Sequence, residues 1–264
     1  MKNILVPLGS SKSAANTLQY AIDMAQQMDA NVYVISIFRE LSRVGGLSKV
    51  NTLMKEESEH QLDAVLKAVD HKDVSVIAHP IKGGIVEGVE RFAKHVPVDL
   101  MILSPRSNSV NDEVYLGKTT GSLVKGTNIP VMIVPDNLQF EGPEHLLMAF
   151  KDGRFPKKKV LHALYKLKEH FNTEVHVLHV HTPNADAAFA KVSGKIKKLA
   201  STYKETENAT TFQGVLEHFQ SHNPDMLCVT RRKRGFFKKL WESDTVLKRE
   251  FHTSKPLLIL STQE

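Results

Sequence analysis

The feature of this sequence that most constrains its fold is an internal duplication. Residues 2–8 (KNILVPL) match residues 145–151 (HLLMAFK), and residues 31–38 (NVYVISIF) match residues 174–181 (EVHVLHVH). Both matches have the same offset of 143 residues (145 − 2 and 174 − 31) and need no gap between them. Such internal repetition predicts that the same structural unit occurs twice in the chain.

The closing segments of the two copies match at a shorter offset. The segment that begins at Asp99 aligns with the one that begins at Asp225, an offset of 126 residues. The second copy is therefore shorter by 17 residues (143 − 126). A repeat unit that spans about half of a 264-residue chain is the size of a domain. The sequence predicts two domains, residues 1–136 and a shortened, degenerate copy at residues 144–264.

Short apolar runs alternate with helical stripes in both copies. The runs are continuous and bounded by turn residues, which is typical of strands covered on both faces of a parallel sheet. The predicted fold class is α/β, with two Rossmann-like open parallel sheets, each in the order 3-2-1-4-5. The predicted strands of the first copy are residues 4–6, 32–38, 74–78, 101–103 and 131–134.

The middle of the second copy carries the weaker patterns. There the sequence predicts a helix over residues 185–203, a weak third strand over 210–212 and a short helix over 215–219. A further helix is predicted around residues 246–251.

The last strand of each copy is an apolar edge. Val131–Val134 and Leu257–Leu260 each close a predicted sheet, and an exposed apolar edge must be covered. We therefore expect the two strands to pair antiparallel about a pseudo-twofold axis. The expected assembly is a monomer that forms an intramolecular pseudo-dimer, or a homodimer.

Composition and charge limit the classes of function that this chain can have. No apolar run is long enough to span a bilayer, and no signal peptide is expected, since Met1-Lys2-Asn3 leads directly into strand residues. The single cysteine, Cys228, excludes an intramolecular disulfide, and the expected location is the cytoplasm. Residues 137–264 carry a net charge of +7 (21 Lys and Arg against 14 Asp and Glu). Nucleic acid is an unlikely partner because no recognised binding motif accompanies the lysine and arginine clusters.

The chemistry-bearing loops follow the strands. In an open α/β sheet, ligands bind beyond the carboxyl ends of the strands, where the strand order reverses. In the first copy this places residues 7–11 and 104–120 around one crevice, and in the second copy residues 150–153 and 230–245 around another. The helix that Gly117 opens offers N–H donors and a positive dipole end, which suit phosphate.

At these loops the chain resembles a tandem universal stress protein. Val6-Pro7-Leu8-Gly9-Ser10-Ser11 matches the family's Val-Pro-x-Asp-Gly-Ser pattern, with Gly9 where the Asp is expected. Ser104 and Ser107 stand at the two leading glycines of the nucleotide-binding pattern Gly-x2-Gly-x9-Gly-Ser/Thr. Gly117 fits its third glycine, and Lys118 replaces the Ser/Thr. The second copy keeps Asp152-Gly153 at the Asp-Gly position, but it has Thr230 and Lys233 at the leading glycines.

The resemblance implies a stress-response protein that, in some members, holds ATP. Gly9 removes a ribose-binding carboxylate, whereas Arg106 and Lys118 add cations at the phosphates. Ile37 ends strand two and is placed to contact an adenine ring. In the second copy, Asp152 would hold a ribose, and Arg231 and Arg232 would bind phosphates. The first copy is favoured. The predicted nucleotide-binding residues are Pro7, Leu8, Gly9, Ser10, Ile37, Ser104, Arg106, Ser107, Gly117, Lys118, Thr119, Thr120, Asp152, Arg231 and Arg232.

Other functions are weighed against this one. The main alternative is an interaction protein that binds no nucleotide and docks an acidic partner through its basic second half. A weak ATPase or phosphate-transfer activity is a third possibility, but no acid–base pair or nucleophile constellation emerges from the spacing. His179 and His181 share one strand face, as a metal pair would, but they are interpreted as histidines facing helices or the crevice mouth. No catalytic residue and no metal are predicted.

Overall fold

The protein is described from a computed structural model. It covers residues 1–9, 13–38, 48–105, 114–151, 158–183, 192–231, 246–247 and 253–261. The helices and strands of the first half are β1 Asn3–Leu8, α1 Ala14–Met28, β2 Asn31–Phe38, α2 Ser48–Lys67, β3 Val76–Lys82, α3 Ile85–His95, β4 Leu100–Leu103, β5 Val114–Leu116, α4 Lys118–Gly126 and β6 Val131–Ile133.

The second half repeats this alternation. Its elements are β7 His145–Phe150, a 3₁₀ turn Lys158–Leu161, α5 His162–Phe171, β8 Glu174–His181, α6 Gly194–Leu199, β9 Thr202–Glu207, α7 Thr211–His222, β10 Met226–Arg231, β11 Val246–Leu247 and β12 Leu257–Ser261.

Ten strands of the described residues form one sheet, in the order β3-β2-β1-β4-β6-β12-β10-β7-β8-β9. Each half therefore has the order 3-2-1-4-5 when its strands in this sheet are counted along the chain. All pairings within a half are parallel. The α/β class and the strand order are confirmed.

The two halves meet at strands β6 and β12, which pair antiparallel. Leu257 lies opposite Ile133, and Ile259 lies opposite Val131. All four side chains are buried. They belong to a core cluster that contains residues of both halves. The predicted edge-to-edge pairing is confirmed, and it turns two sheets into one.

A matching pair of aspartates shows the repeat at the level of hydrogen bonds. The Asp99 carboxylate accepts the backbone N–H groups of Lys2 at 2.7 Å and Asn3 at 3.1 Å. The Asp225 carboxylate accepts those of Glu144 at 3.0 Å and His145 at 2.8 Å. In each half the residue before strand four therefore fixes the start of strand one.

The middle of the second half differs from the prediction. Its third strand is β9, Thr202–Glu207, and the predicted strand over residues 210–212 is wrong. The hydroxyl of Thr210 accepts from the Gln213 N–H at 3.1 Å, so Thr210 caps α7 instead of extending a strand. The predicted helix over residues 185–203 is also wrong at its end, because α6 stops at Leu199. Residues 184–191 lie outside the described residues.

Two further boundaries differ. Val246–Leu247 is not helical but forms a two-stranded antiparallel sheet with β5, which links the loops after β4 and β10. Strand β3 runs to Lys82 instead of ending at Ala78. It continues through Pro80 because it is an edge strand, where a missing N–H costs no ladder bond.

Candidate functional site

The predicted crevice lies where the strand order of the first half reverses, between β1 and β4. Among the described residues, the predicted positions lie at the carboxyl ends of β1, β2 and β4 and at the start of α4. These are Pro7, Leu8, Gly9, Ile37, Ser104, Gly117, Lys118, Thr119 and Thr120. Five others, Ser10, Arg106, Ser107, Asp152 and Arg232, lie outside the described residues.

The start of α4 has the features of an anion site. Gly117 is the N-cap residue, with φ −67° and ψ 164°, and no side chain caps the helix. The first turn carries no acidic residue, and Lys118 and Thr119 are exposed. The first N–H groups of a helix have no intrahelical acceptor, and the helix dipole adds partial positive charge there. Among the described residues, this turn therefore offers hydrogen-bond donors and partial positive charge to a phosphate.

Thr120 holds the loop after β4 against this helix. Its hydroxyl donates to the Ser104 carbonyl at 2.9 Å, and its side chain is buried. The Gly117 N–H donates to the Pro105 carbonyl at 2.9 Å. These two bonds fix the position of the helix start relative to the end of β4. The phosphate role that the sequence assigns to Thr120 stays a prediction.

Gly9 stands in open space. A Cβ built on it meets no heavy atom within 4 Å, and its φ lies outside the left-handed region. Neither sterics nor backbone strain therefore requires glycine there. A Cβ fits at this position, and the glycine leaves the crevice without the carboxylate that the family's aspartate would supply.

Leu8 and Ile37 line the crevice end of the sheet from different layers. Both are partly buried, but Leu8 packs on one core cluster and Ile37 on the other. Ile37 contacts α3 closely, since a Cβ on Gly88 would lie 3.0 Å from its Cδ1 atom. The glycine lets α3 approach β2, and this fixes Ile37 beside the helix. Its adenine contact stays a prediction.

Arg231 lies at the junction of the halves. The guanidinium donates to the Thr127 carbonyl at 2.7 Å and to the Ser261 hydroxyl at 3.1 Å. Ser261 in turn donates to the Asn128 side-chain oxygen at 3.0 Å. Burial lowers the pKa of Arg231 to about 10, so it is charged at neutral pH. Its phosphate role stays a prediction, whereas these contacts join β10 and β12 to the loop before β6.

Sequence reasoning missed this junction role. Arg231 opens a run of basic residues, which resembles a solvated cluster when only the sequence is read. Only its position as the last residue of an otherwise apolar strand distinguishes it from its neighbours.

The carboxyl end of β8 and β9 holds a polar group that we call the carboxyl-edge cluster, formed by His179, His181 and Glu205. The His179 and His181 ring centres lie 4.3 Å apart, so the two side chains share one face, as strand alternation predicts. His181 Nε2 lies 3.1 Å from Glu205 Oε2, and the Tyr203 hydroxyl donates to Glu205 Oε1 at 2.6 Å. These bonds, that of Tyr203 first, lower the pKa of Glu205. The contribution of Glu205 was missed because β9 was not predicted as a strand.

A family model described as the Universal stress protein family matches residues 1–135, which is half of the chain. The chain belongs to the universal stress protein family. A curated universal stress protein of Methanocaldococcus jannaschii is 25% identical over 138 residues, which cover 50% of this chain and 81% of that protein.

Two solved structures extend the likeness to the second half. A universal stress protein from Archaeoglobus fulgidus has a TM-score of 0.72 at 15% identity, with 99% of this chain and 98% of that chain covered. A functionally unknown protein from Pseudomonas aeruginosa has a TM-score of 0.61 at 13% identity, with 99% and 92% covered. At these identities the likeness shows the fold, and it does so across both halves of this universal stress protein. No helix among the described residues is long and apolar enough to cross a membrane.

Proposed function

We propose that this universal stress protein binds an adenine nucleotide, ATP foremost, in the crevice of its first half and acts in the stress response through that binding. The observation that carries the proposal is the start of α4, a helix N-terminus at the sheet's switch point that begins after Gly117 and has no side-chain cap hydrogen bond. Ligands of open α/β sheets bind at such a point, and phosphates bind at such helix ends.

The phosphates are assigned to the first turn of α4. The backbone N–H groups of Lys118 and Thr119 belong to this first turn, where a helix supplies no acceptor for them, and the exposed Lys118 adds an ammonium charge. Charge-assisted hydrogen bonds to phosphate are about twice as strong as neutral ones. The Thr120 to Ser104 bond holds these donors in place before a ligand arrives. Donors that are already fixed lose little entropy on binding.

The ribose is held less firmly than in family members that carry the aspartate. Gly9 supplies no carboxylate for the sugar hydroxyls, and its surroundings supply no side chain within 4 Å of a Cβ. We therefore propose modest affinity, governed by the phosphates. The proposed role is binding and not catalysis.

The first test is direct. Small molecules released from the purified, denatured protein are identified by mass spectrometry, and hydrogen exchange of the native protein is compared with and without added ATP. Co-purified adenine nucleotide, or slower exchange confined to the first turn of α4 and the end of β1, is the expected result. No nucleotide and no change in exchange at saturating ATP would refute the proposal. That outcome would favour the docking of an acidic protein on the second half, whose net charge is +7 (21 − 14).

A further inference from the structure

A second group of histidines lies at the amino ends of the parallel strands, opposite to the crevices at the carboxyl ends. His145 begins β7, and Glu174 and His176 lie at the start of β8. We call these three residues the amino-edge cluster. Their potential ligand atoms all lie within 4.8 Å of one another.

The three donor atoms form a nearly equilateral triangle. His145 Nδ1 lies 3.5 Å from His176 Nε2, and the Glu174 Oε2 atom lies 3.7 Å from the first and 3.8 Å from the second. Zinc binds nitrogen and oxygen ligands at about 2.0–2.2 Å, so neighbouring ligands of a tetrahedral zinc are separated by about 3.4 Å. The triangle is one face of such a tetrahedron, expanded by a few tenths of an ångström.

The hydrogen bonds behind the triangle direct a lone pair into it. His176 Nδ1 lies 2.9 Å from the Thr202 hydroxyl oxygen. When Nδ1 carries the proton and donates to Thr202, Nε2 is left as an acceptor facing His145 and Glu174. Metal-binding histidines are almost always oriented in this way by a partner on the other ring nitrogen.

A further imidazole lies beside the cluster. His222, at the end of α7, brings a third imidazole to the same patch, with its ring centre 5.2 Å from that of His176.

The cluster is open to solvent. The side chain of His145 is 44% exposed and that of Glu174 is 59% exposed, whereas His176 is 12% exposed. A hydrated cation can therefore enter and keep water at the remaining coordination position. Such a site exchanges its metal with solution.

The fold does not require this group. At the same offset of 143 residues the first half has Lys2, Asn31 and Tyr33 (145 − 143, 174 − 143 and 176 − 143). None of these is an imidazole or a carboxylate, yet β1 and β2 pair in parallel as β7 and β8 do. The cluster is therefore a property of the second half alone.

We infer that His145, Glu174 and His176 form a binding site for a divalent first-row transition metal, with zinc the expected occupant. Two imidazoles and one carboxylate form a set of donors that binds zinc and also the other divalent metals of the first transition row. The carboxyl-edge cluster is the weaker candidate. There the Glu205 oxygens already form hydrogen bonds with Tyr203 at 2.6 Å and His181 at 3.1 Å, so the Glu205 carboxylate has partners without a cation.

The test uses full-length protein, free of any histidine tag and stripped with a chelator. Co²⁺ is titrated while its visible ligand-field absorption is recorded, and Zn²⁺ affinity is measured in competition with a chromophoric chelator. The variants are Glu174→Gln and His145→Asn, both at exposed positions, with His181→Asn in the carboxyl-edge cluster as the matched control. Circular dichroism checks that each variant is folded.

The expected result is one Zn²⁺ per chain and a Co²⁺ spectrum with nitrogen and oxygen ligands. Loss of even an outer-shell partner typically weakens metal binding by about 10–100-fold, so each cluster variant should weaken it at least about tenfold. Thr202→Val should weaken it by about tenfold through His176 alone. His181→Asn should leave it unchanged.

Three results would overturn the inference. One is the absence of stoichiometric binding to the wild-type protein. Another is unchanged affinity in both amino-edge variants. The third is loss of binding in His181→Asn alone, which would place the metal at the other edge of the sheet.

Discussion

Replacing Ile133 with lysine should separate the two halves of the sheet. Ile133 is fully buried in β6, lies opposite Leu257 of β12 and belongs to the core cluster shared by both halves. Only three residue pairs make this contact between the strands. Because Ile133 is fully buried among apolar residues of both halves, a charge on its side chain would lie inside the shared core.

The magnitude follows from the burial. Removing a fully buried isoleucine side chain from the core costs about 1.5–3 kcal/mol. Burying an unpaired ammonium costs several kcal/mol more, even after the surroundings relax. The total of at least about 5 kcal/mol is comparable with the whole stability of a typical domain. Ile133→Val keeps an apolar side chain and should cost only about 1 kcal/mol.

The assay uses two probes of thermal unfolding. Far-ultraviolet circular dichroism reports on the whole chain. Pulse labelling of Cys228 reports on the second half, because this buried residue of β10 is the only cysteine in the sequence. In Ile133→Lys, part of the dichroism signal should be lost before Cys228 becomes reactive. In Leu257→Lys, which introduces the charge from the other side, Cys228 should react in the earlier transition.

The reasoning would be refuted by coincident curves. If dichroism and labelling of both lysine variants report one transition at one temperature, the halves do not unfold separately when their junction is disrupted. Ile133→Val should show the wild-type pattern, with a small decrease in Tm, and this separates loss of packing from burial of a charge.

Three further outcomes are expected. Arg231→Met removes the buried donor that binds the Thr127 carbonyl and the Ser261 hydroxyl, so the free energy of unfolding should fall by about 1–3 kcal/mol. Urea denaturation measures this change, with Arg231→Lys for comparison. An unchanged free energy of unfolding would contradict the junction role. Burial raises the pKa of the Cys228 thiol, so native protein should resist labelling at pH 8, and rapid reaction would show that β10 opens. Hydrogen bonds lower the pKa of Glu205, so its small contribution to stability is present above the ordinary carboxyl pKa of about 4.3 and is lost as the pH falls through the lower folded pKa. Glu205→Gln should therefore flatten the dependence of the unfolding free energy on pH in that range. An unchanged dependence would contradict this role of Glu205.

The parts of the fold that sequence predicted are those that one physical pattern decides. Short, continuous apolar runs bounded by turn residues, such as residues 101–103, are typical of strands buried on both faces of a parallel sheet. The antiparallel pairing of β6 with β12 follows from two apolar edges that must be covered. The offsets of 143 and 126 residues then relate strands one and two, and the closing segments, of one half to those of the other.

The missed elements lack such a pattern. Strand β9 reads TYKETE, because it is an edge strand and four of its six residues are exposed to solvent. Its charged residues gave no apolar signal, so the amphipathic helix α7 was partly interpreted as the strand instead. Val246 and Leu247 form a strand only because β5 of the other half provides a partner. Pairing across such a distance in sequence has no local signature.

The candidate site was predicted unevenly for a related reason. The helix start at Gly117 follows from local sequence, and the structure places it as expected. The roles of Thr120 and Arg231 depend on carbonyl groups of Ser104 and Thr127, which lie 16 and 104 residues away. Backbone acceptors leave no mark in the sequence of side chains, so these contacts could not be anticipated.

The central claim is that the first-half crevice binds an adenine nucleotide through the start of α4. Its most direct test is calorimetric titration of ATP into the wild type and into Gly117→Val, Gly9→Asp and Asp152→Ala. Gly117→Val should weaken binding because a branched side chain would enter the phosphate turn. Gly9→Asp should strengthen it about tenfold, since the open space at Gly9 admits a carboxylate that can bind the ribose hydroxyls. Asp152→Ala should change nothing. If Gly117→Val binds as well as the wild type while Asp152→Ala does not bind, the nucleotide lies in the second half and the claim is wrong.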